Sequence, residues 1–347
     1  MAPAQAQIDL PDVRTESHSQ WLREAKGKTP FRLFVTTSGY ESRNTHWLSK
    51  TESAISVDSR TQHLVIGFRE FADALHRPDN DRFYRDRTLP VQIADAEEGL
   101  VFCEDIDKAI KAVLSAANNE PIEVHVDYSC MPRLWYCSLP ELLLKILRPH
   151  DRAFLWYTPG EYPDAEYPTA GIEDFKLFSG RPSLNPPART HIFGLGFDRV
   201  RSQAIWSVID PQNLVCFYAD PAIKSSYAER VKSDNRDVLA AANHTFTVPV
   251  NDFIYAYGLI AAIVTEFRSV GDVVIVPDGP KPLILASSLI PMRLEVPGVL
   301  CFHVTRRKGR SYKPIDVTVG GEPFGLSFSG RKNAPSSLCE QLPTTSP

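Results

Sequence analysis

Four short stretches carry residue types that can hold or act on a charged ligand. The first is Thr36-Thr37-Ser38-Gly39-Tyr40-Glu41-Ser42-Arg43. Hydroxyls and a glycine-backed turn before a helix present N–H groups to an anion. Arg43 can add a bidentate clamp, with Thr37, Ser38 and Gly39 as the cradle. The bland alternative is a plain strand-to-helix turn, with Glu41 as an early-helix acid and Arg43 in solvent. The second stretch is Asp127-Tyr128-Ser129-Cys130-Met131-Pro132-Arg133. Asp127 closes an apolar run, where an acid costs free energy unless it is exposed or paired. Arg133 is its natural partner, and Ser129 can cap the helix that follows. A phosphatase loop places an arginine six positions after its cysteine, but Tyr136 stands there. The serine-hydrolase elbow G-x-S-x-G is also absent.

The third stretch is Val276-Pro277-Asp278-Gly279-Pro280-Lys281-Pro282. Asp278 and Gly279 form a compact turn, and Lys281 is a point charge that can reach a phosphate. It is not a Walker A loop, and its prolines make a rigid structural turn the competing reading. The fourth is Gly194-Leu195-Gly196-Phe197-Asp198-Arg199. Gly194 and Gly196 open a dinucleotide fingerprint whose third glycine is replaced by Arg199. Asp220 falls where a ribose-binding acid belongs, which keeps an NAD-binding oxidoreductase in view. The first and fourth stretches share one pattern: apolar strand, glycine, aromatic, acid, arginine. The doubling points to two related lobes.

The elements that position these turns alternate. Apolar strands are expected at Phe31–Thr36, His63–Phe68, Ile122–Asp127 and Ala153–Tyr157, with helices at Asp105–Ala117 and Pro140–Leu147. The charged stretch Arg77–Val91 lacks periodicity and reads as a long loop. Strands follow at Thr190–Gly194, Leu214–Ala219, Thr245–Val248, Val273–Val276 and Val299–Val304. Helices are expected at Asp198–Val208, Pro221–Ala242, Asp252–Phe267 and Pro282–Ile290, with Asn251 or Asp252 as a cap. Short, continuously apolar strands between helices argue for parallel sheets covered on both faces. The fold class is therefore α/β: two Rossmann-like lobes with mainly parallel sheets flanked by helices. The expected organisation is a polar N-terminal arm (1–29), a first lobe (30–157), a Pro/Gly-rich linker (158–189), a second lobe (190–330) and a disordered tail (331–347). The arm holds at most one helical turn, around Trp21.

The chain has 347 residues, of which 43% are hydrophobic, enough to bury a sizeable core. A net charge of −4 gives no global pull toward nucleic acid or an anionic membrane. Arg306-Arg307-Lys308-Gly309-Arg310 is a local basic run that reads as a solvated loop. The six cysteines form no C-x-x-C pair, no Cys/His cluster has zinc spacing, and the histidines form no metal pair, so no metal is expected. His125 and His191 read as core residues. Scattered cysteines and the absence of a secretory signal place the chain in the cytoplasm. The longest apolar run, Phe253–Thr265, is too short to span a bilayer.

Two turns resemble those of the CARF and SAVED sensor domains, which bind cyclic oligonucleotides in prokaryotic immunity. Those domains are Rossmann-like, with a ligand turn after the first strand and a G-G-T-K-like turn after a late one. The matching elements are Thr37-Ser38-Gly39 or Gly194-Leu195-Gly196, and Asp278-Gly279-Pro280-Lys281. Asp278 and Pro280 stand where a glycine and a threonine would sit, and only these short motifs match. The resemblance implies a nucleotide-type ligand, a homodimer, and a separate effector protein, since the sequence carries no nuclease motif and no membrane helix.

Three functions compete. The leading one is a cytosolic nucleotide- or phosphate-binding protein, a defence-associated sensor or accessory subunit. The second is an enzyme, a hydrolase or transferase acting on a nucleotide or sugar phosphate. It would use Glu41 and Asp127 as acid and base, with Arg43, Arg133 and Lys281 holding the anion. The third is a protein–protein scaffold with a vestigial pocket. The strand-end rule for open α/β sheets puts any site outside the carboxyl ends of the strands.

Overall fold

The computed structural model describes residues 10–55, 57–97, 99–163, 172–184, 186–294, 296–306 and 314–331. Residues 1–9, residues 332–347 of the expected tail, and Arg307–Arg310 of the basic run lie outside them. The first half runs β1 (Arg14–Ser17), α1 (His18–Ala25), β2 (Phe31–Ser38), α2 (His46–Ala54), β3 (Thr61–Phe68), α3 (Arg77–Arg85), β4 (Val91–Ala94), α4 (Gly99–Ala117), β5 (Ile122–Asp127), α5 (Arg133–Ile146) and β6 (Arg152–Tyr157). Two strands follow, β7 (Gly160–Glu161) and β8 (Ile172–Arg181). The second half runs β9 (Arg189–Gly194), α6 (Arg199–Ile209), β10 (Asn213–Ala219), α7 (Ser225–Asp234), α8 (Arg236–Ala241), β11 (His244–Val248), α9 (Phe253–Arg268), β12 (Asp272–Val276), α10 (Lys281–Leu294) and β13 (Val299–Arg306). It closes with β14 (Thr318–Val319) and β15 (Phe324–Ser329).

Two main sheets result. The first is ordered β1-β15-β6-β5-β2-β3-β4 and the second β11-β10-β9-β12-β13-β8. In each, the five strands joined by helical crossovers are parallel and follow one pattern. The first strand is central, the next two step to one side, and the last two step to the other. Each sheet is then extended beyond its fifth strand by an antiparallel one, β15 against β6 and β8 against β13. Both are therefore Rossmann-like, mainly parallel sheets, as the sequence predicts. Their reversal points lie between β2 and β5 and between β9 and β12.

The helical layers follow from alternation within the strands. Leu33 and Val35 of β2 and Ile192 of β9 point into one shared core; Phe34 and Phe193 point away from it. That shared core holds α4, α5, α9 and α10, with α5 packed on α10 between the sheets. Burial on both faces is why the central strands read as unbroken apolar runs.

Several expectations are corrected. Residues 10–29 are not simply a polar arm: β1 pairs with β15, and α1 buries Trp21 and Ala25. The expected loop from Arg77 begins with helix α3, whose buried face is Arg77, Asn80 and Tyr84. α5 starts at Arg133 and carries Pro140 in its interior. The single helix expected over 221–242 is two, α7 and α8, meeting at Asn235. The stretch 158–189 contains β7 and β8, and β15, grouped by sequence with the second lobe, completes the first sheet. No helix among the described residues is long and apolar enough to cross a membrane.

Candidate functional site

Each lobe presents two turns at its reversal point, one after its first strand and one after its fourth. The turns pack in pairs through small residues. A Cβ on Gly39 would lie 3.2 Å from the Cys130 Cβ, and a Cβ on Gly196 would lie 3.0 Å from the Gly279 Cα. Gly279 itself has φ +94°, and a side chain there would drive into the Leu195 carbonyl at 2.6 Å. A buried asparagine braces each first turn. Asn80 Nδ2 donates to the Gly39 carbonyl at 2.8 Å, and Asn235 Nδ2 donates to the Gly196 carbonyl at 2.9 Å.

A buried arginine completes the brace in both lobes. Arg43 donates through Nε to Glu41 (2.6 Å), and through its terminal nitrogens to the carbonyls of Thr158 (2.6 Å) and Ser129 (3.2 Å). Arg201 donates to Asp278 (3.0 Å) and to the Val304 carbonyl (2.7 Å). Each guanidinium thus ties the turn after the fourth strand to the end of the fifth. Burial opposes the Arg43 charge, yet Glu41 holds its pKa well above the ordinary arginine value. The anion clamp expected at Arg43 is in the structure an internal tie.

The lobes exchange the cations at the first residues of α5 and α10. Arg133 donates to the Pro277 carbonyl (3.2 Å) and Asp278 Oδ1 (2.8 Å) of the second lobe. Lys281 Nζ donates to the carbonyls of Met131 (2.7 Å) and Tyr128 (3.4 Å) of the first. The sequence paired Arg133 with Asp127 and turned Lys281 toward a phosphate; both side chains instead clasp the opposite lobe. Burial lowers the Lys281 pKa to about 8. Arg133 is raised above its usual range: burial opposes the charge, but Asp278 outweighs it.

Between the lobes lies a cavity of about 270 Å³ at the carboxyl ends of both sheets, where the strand-end rule puts a ligand. Tyr40, Tyr157, Tyr162, Phe197 and Tyr227 supply aromatic walls. Three of them form a cluster with ring centroids 5.1 Å (Phe197–Tyr227), 5.4 Å (Tyr162–Phe197) and 6.2 Å (Tyr162–Tyr227) apart. Three helix starts reach the cavity: Arg133 of α5, Asp198 as the cap of α6, and Pro280 just before α10. Such starts carry positive partial charge.

The sequence-derived residues divide accordingly. Glu41, Arg133, Gly196, Asp278 and Gly279 line the cavity. Thr37, Ser38, Gly39, Arg43, Asp127, Ser129, Gly194 and Lys281 lie behind it. Ser38 Oγ donates to Asp81 at 2.5 Å, and Thr37 offers its carbonyl to Asn44 at 2.6 Å. Ser129 does not cap α5: its amide (3.0 Å) and hydroxyl both donate to Asp127, and its Oγ accepts from the Thr158 amide at 2.7 Å. Burial raises the Asp127 pKa to about 6, against the opposing pull of Ser129. Glu41 and Asp127, the expected acid and base, therefore do not share a wall. Burial and the Glu41 charge push the Cys130 thiol far up, which makes it a poor nucleophile. Tyr40 and Phe197 are wall residues that the reading of the sequence did not select. They are the aromatic position of the doubled pattern, so the repeat itself was their signal.

Fold and cavity define a two-lobed Rossmann-like α/β protein with one interlobe cleft. No family model matches the chain, and no curated protein matches it. Among solved structures it is similar to a Type III CRISPR defence DNA nuclease activated by cyclic oligoadenylate, at 11% identity and a TM-score of 0.48. The match covers 79% of this chain and 65% of the nuclease chain, so this chain spans less than two thirds of that length.

Proposed function

We propose that the chain is a cytosolic binding protein that takes a nucleotide-type ligand in the interlobe cleft, and that it acts as a defence-associated sensor or accessory subunit working with a separate effector. The observation that carries the reading is the convergence on one cavity of two sheet reversal points, three helix starts and five aromatic rings. Aromatic faces stack on bases, and helix starts favour an anionic group. The five cysteines among the described residues are free thiols, in keeping with a reducing compartment.

Thermal-shift and calorimetric titration against nucleoside phosphates, NAD and cyclic oligoadenylates tests it. Binding is expected, and Tyr227→Ala should weaken it by about 1–3 kcal/mol, the cost of a lost stacking face. Absence of binding by every member of the panel would remove this reading. A dinucleotide reading has one observation of its own. Asp220 directly follows β10, beside the wall residues Ala219 and Ala222, where a ribose-binding acid falls. Arg199, at the first position of α6, replaces the third glycine. NAD in the same panel decides it.

A further inference from the structure

The cavity draws on the lobes unequally. The second lobe lines it from four strand ends: Leu195–Asp198 after β9, Ala219 and Ala222 at β10, Val250 after β11, and Asp278–Pro280 after β12. The first lobe contributes from β2, β5 and β6, Ile315 and Val317 join from the segment before β14, and no described residue of the connection after β3 is on the wall.

The first lobe's turn is instead covered in part by its own chain, although its Tyr40 and Glu41 still reach the cavity. The connection from β3 to α3 is longer than its second-lobe equivalent (69–76 against 220–224). It lays Phe71 edge-on against Tyr40, with ring centroids 5.5 Å apart, and its His76 amide donates to the Tyr40 carbonyl at 3.1 Å. Asp316 then crosses the turn. Its Oδ1 accepts from the Ser42 amide at 2.8 Å, and its Oδ2 lies 3.2 Å from His76 Nε2. A carboxylate on the amide of a glycine-backed turn occupies the place an anionic ligand would take. The next residue, Val317, accepts from the Arg43 amide at 3.4 Å.

Charge and size limit what the open half can hold. Arg133 is the one cation among the described wall residues, and Glu41, Asp198 and Asp278 are carboxylates on the same wall. Arg133 and Arg201 are already matched to Asp278, so the wall has no surplus positive charge for a polyphosphate. The volume, about 270 Å³, lies at the lower end of the roughly 300–1,000 Å³ usual for drug-sized ligands.

We propose that the cleft is a one-sided site for a single nucleoside carrying at most one phosphate. The base lies against Phe197 and Tyr227 of the second lobe and Tyr162 of the connection after β7, and Asp316 and Phe71 stand in for a ligand over part of the first. This rests on the nucleotide-type reading above and narrows it.

Calorimetry on the full chain separates the two. The probes are the four ribonucleoside monophosphates, their triphosphates and cyclic oligoadenylates. At least one monophosphate is expected to bind, one molecule per chain, about tenfold or more tighter than its triphosphate. Phe197→Ala should weaken it about tenfold or more, and the milder Phe197→Leu, which keeps the volume and removes the ring, should weaken it in the same direction. Phe71→Ala and Asp316→Asn should leave affinity within about twofold. Tighter binding of a cyclic oligoadenylate than of every monophosphate, or equal losses from Phe71→Ala and Phe197→Ala, would overturn the one-sided site and leave the nucleotide reading standing. No binding by any probe at millimolar concentration would overturn both.

Discussion

The first and second lobes share a strand order, a buried arginine tie and an asparagine brace, but they treat the space above those features differently. In the first lobe Arg43 and Asn80 support a turn whose Tyr40 and Glu41 reach the cavity but which Phe71 and Asp316 cover in part. In the second, Arg201 and Asn235 support a turn that forms a cavity wall. What the lobes hold in common is the scaffolding that fixes the turns. Polar groups buried there are costly unless bonded, and the bonds these ties make are internal to the protein. The space above is free to diverge, because covering residues come from connections and from a distant segment.

The largest expected difference between the lobes lies in their acids. Asp278 serves both Arg201, which is almost fully buried, and Arg133 of the opposite lobe. Asp278→Ala should cost about 3–5 kcal/mol in urea unfolding, since it strands buried charge. Glu41→Ala should cost less, about 1.5–3 kcal/mol, because Arg43 retains two carbonyl partners. Equal losses would mean that Asp278 does not link the lobes. A smaller contrast is expected at the glycines. Gly279→Ala meets a backbone carbonyl at positive φ and should cost about 1–3 kcal/mol. Gly39→Ala meets only side-chain atoms, the nearest being the Cys130 Cβ at 3.2 Å, and should cost less than about 1 kcal/mol.

A further contrast concerns the exchanged cations. The folded-state pKa of Lys281, about 8, lies below its ordinary value of 10.5. Between those values the unfolded chain binds more protons, so this group makes stability rise with pH across that window. Lys281→Met should abolish that contribution, seen as a wild-type advantage larger at about pH 10 than at about pH 7.5. Arg133→Met should give no such pH dependence, because its guanidinium stays charged throughout. A pH-independent difference for Lys281→Met would show that the amine is not held in a desolvated clasp.

The central strands were legible because burial on both faces leaves an apolar run with no alternation. All nine expected strands exist, with ends shifted by no more than a few residues. The edge strands β4 and β8 alternate or stay exposed, so hydropathy did not separate them from loops. α3 was illegible for a different reason. Its inward face, Arg77, Asn80 and Tyr84, has helical spacing but is built largely from polar side chains that find partners only in the fold. At the site, the turns were legible as turns. Whether Arg43 or Lys281 faced a ligand was not, because their partners lie far along the chain: Ser129 and Thr158 for one, Met131 for the other. Local sequence marks where a charge is placed but not which distant carbonyl receives it.

The position of β15 has a consequence for synthesis. Every other strand of the first sheet precedes residue 158, while β15, the neighbour of β6, spans Phe324–Ser329. A chain emerging from the ribosome exposes all the strands of the second sheet before the first can be sealed. Until that last segment arrives, the edge of β6 offers unpaired backbone groups to any passing strand. The edge of β6 is thus open to mispairing from the synthesis of Tyr157 until that of Phe324.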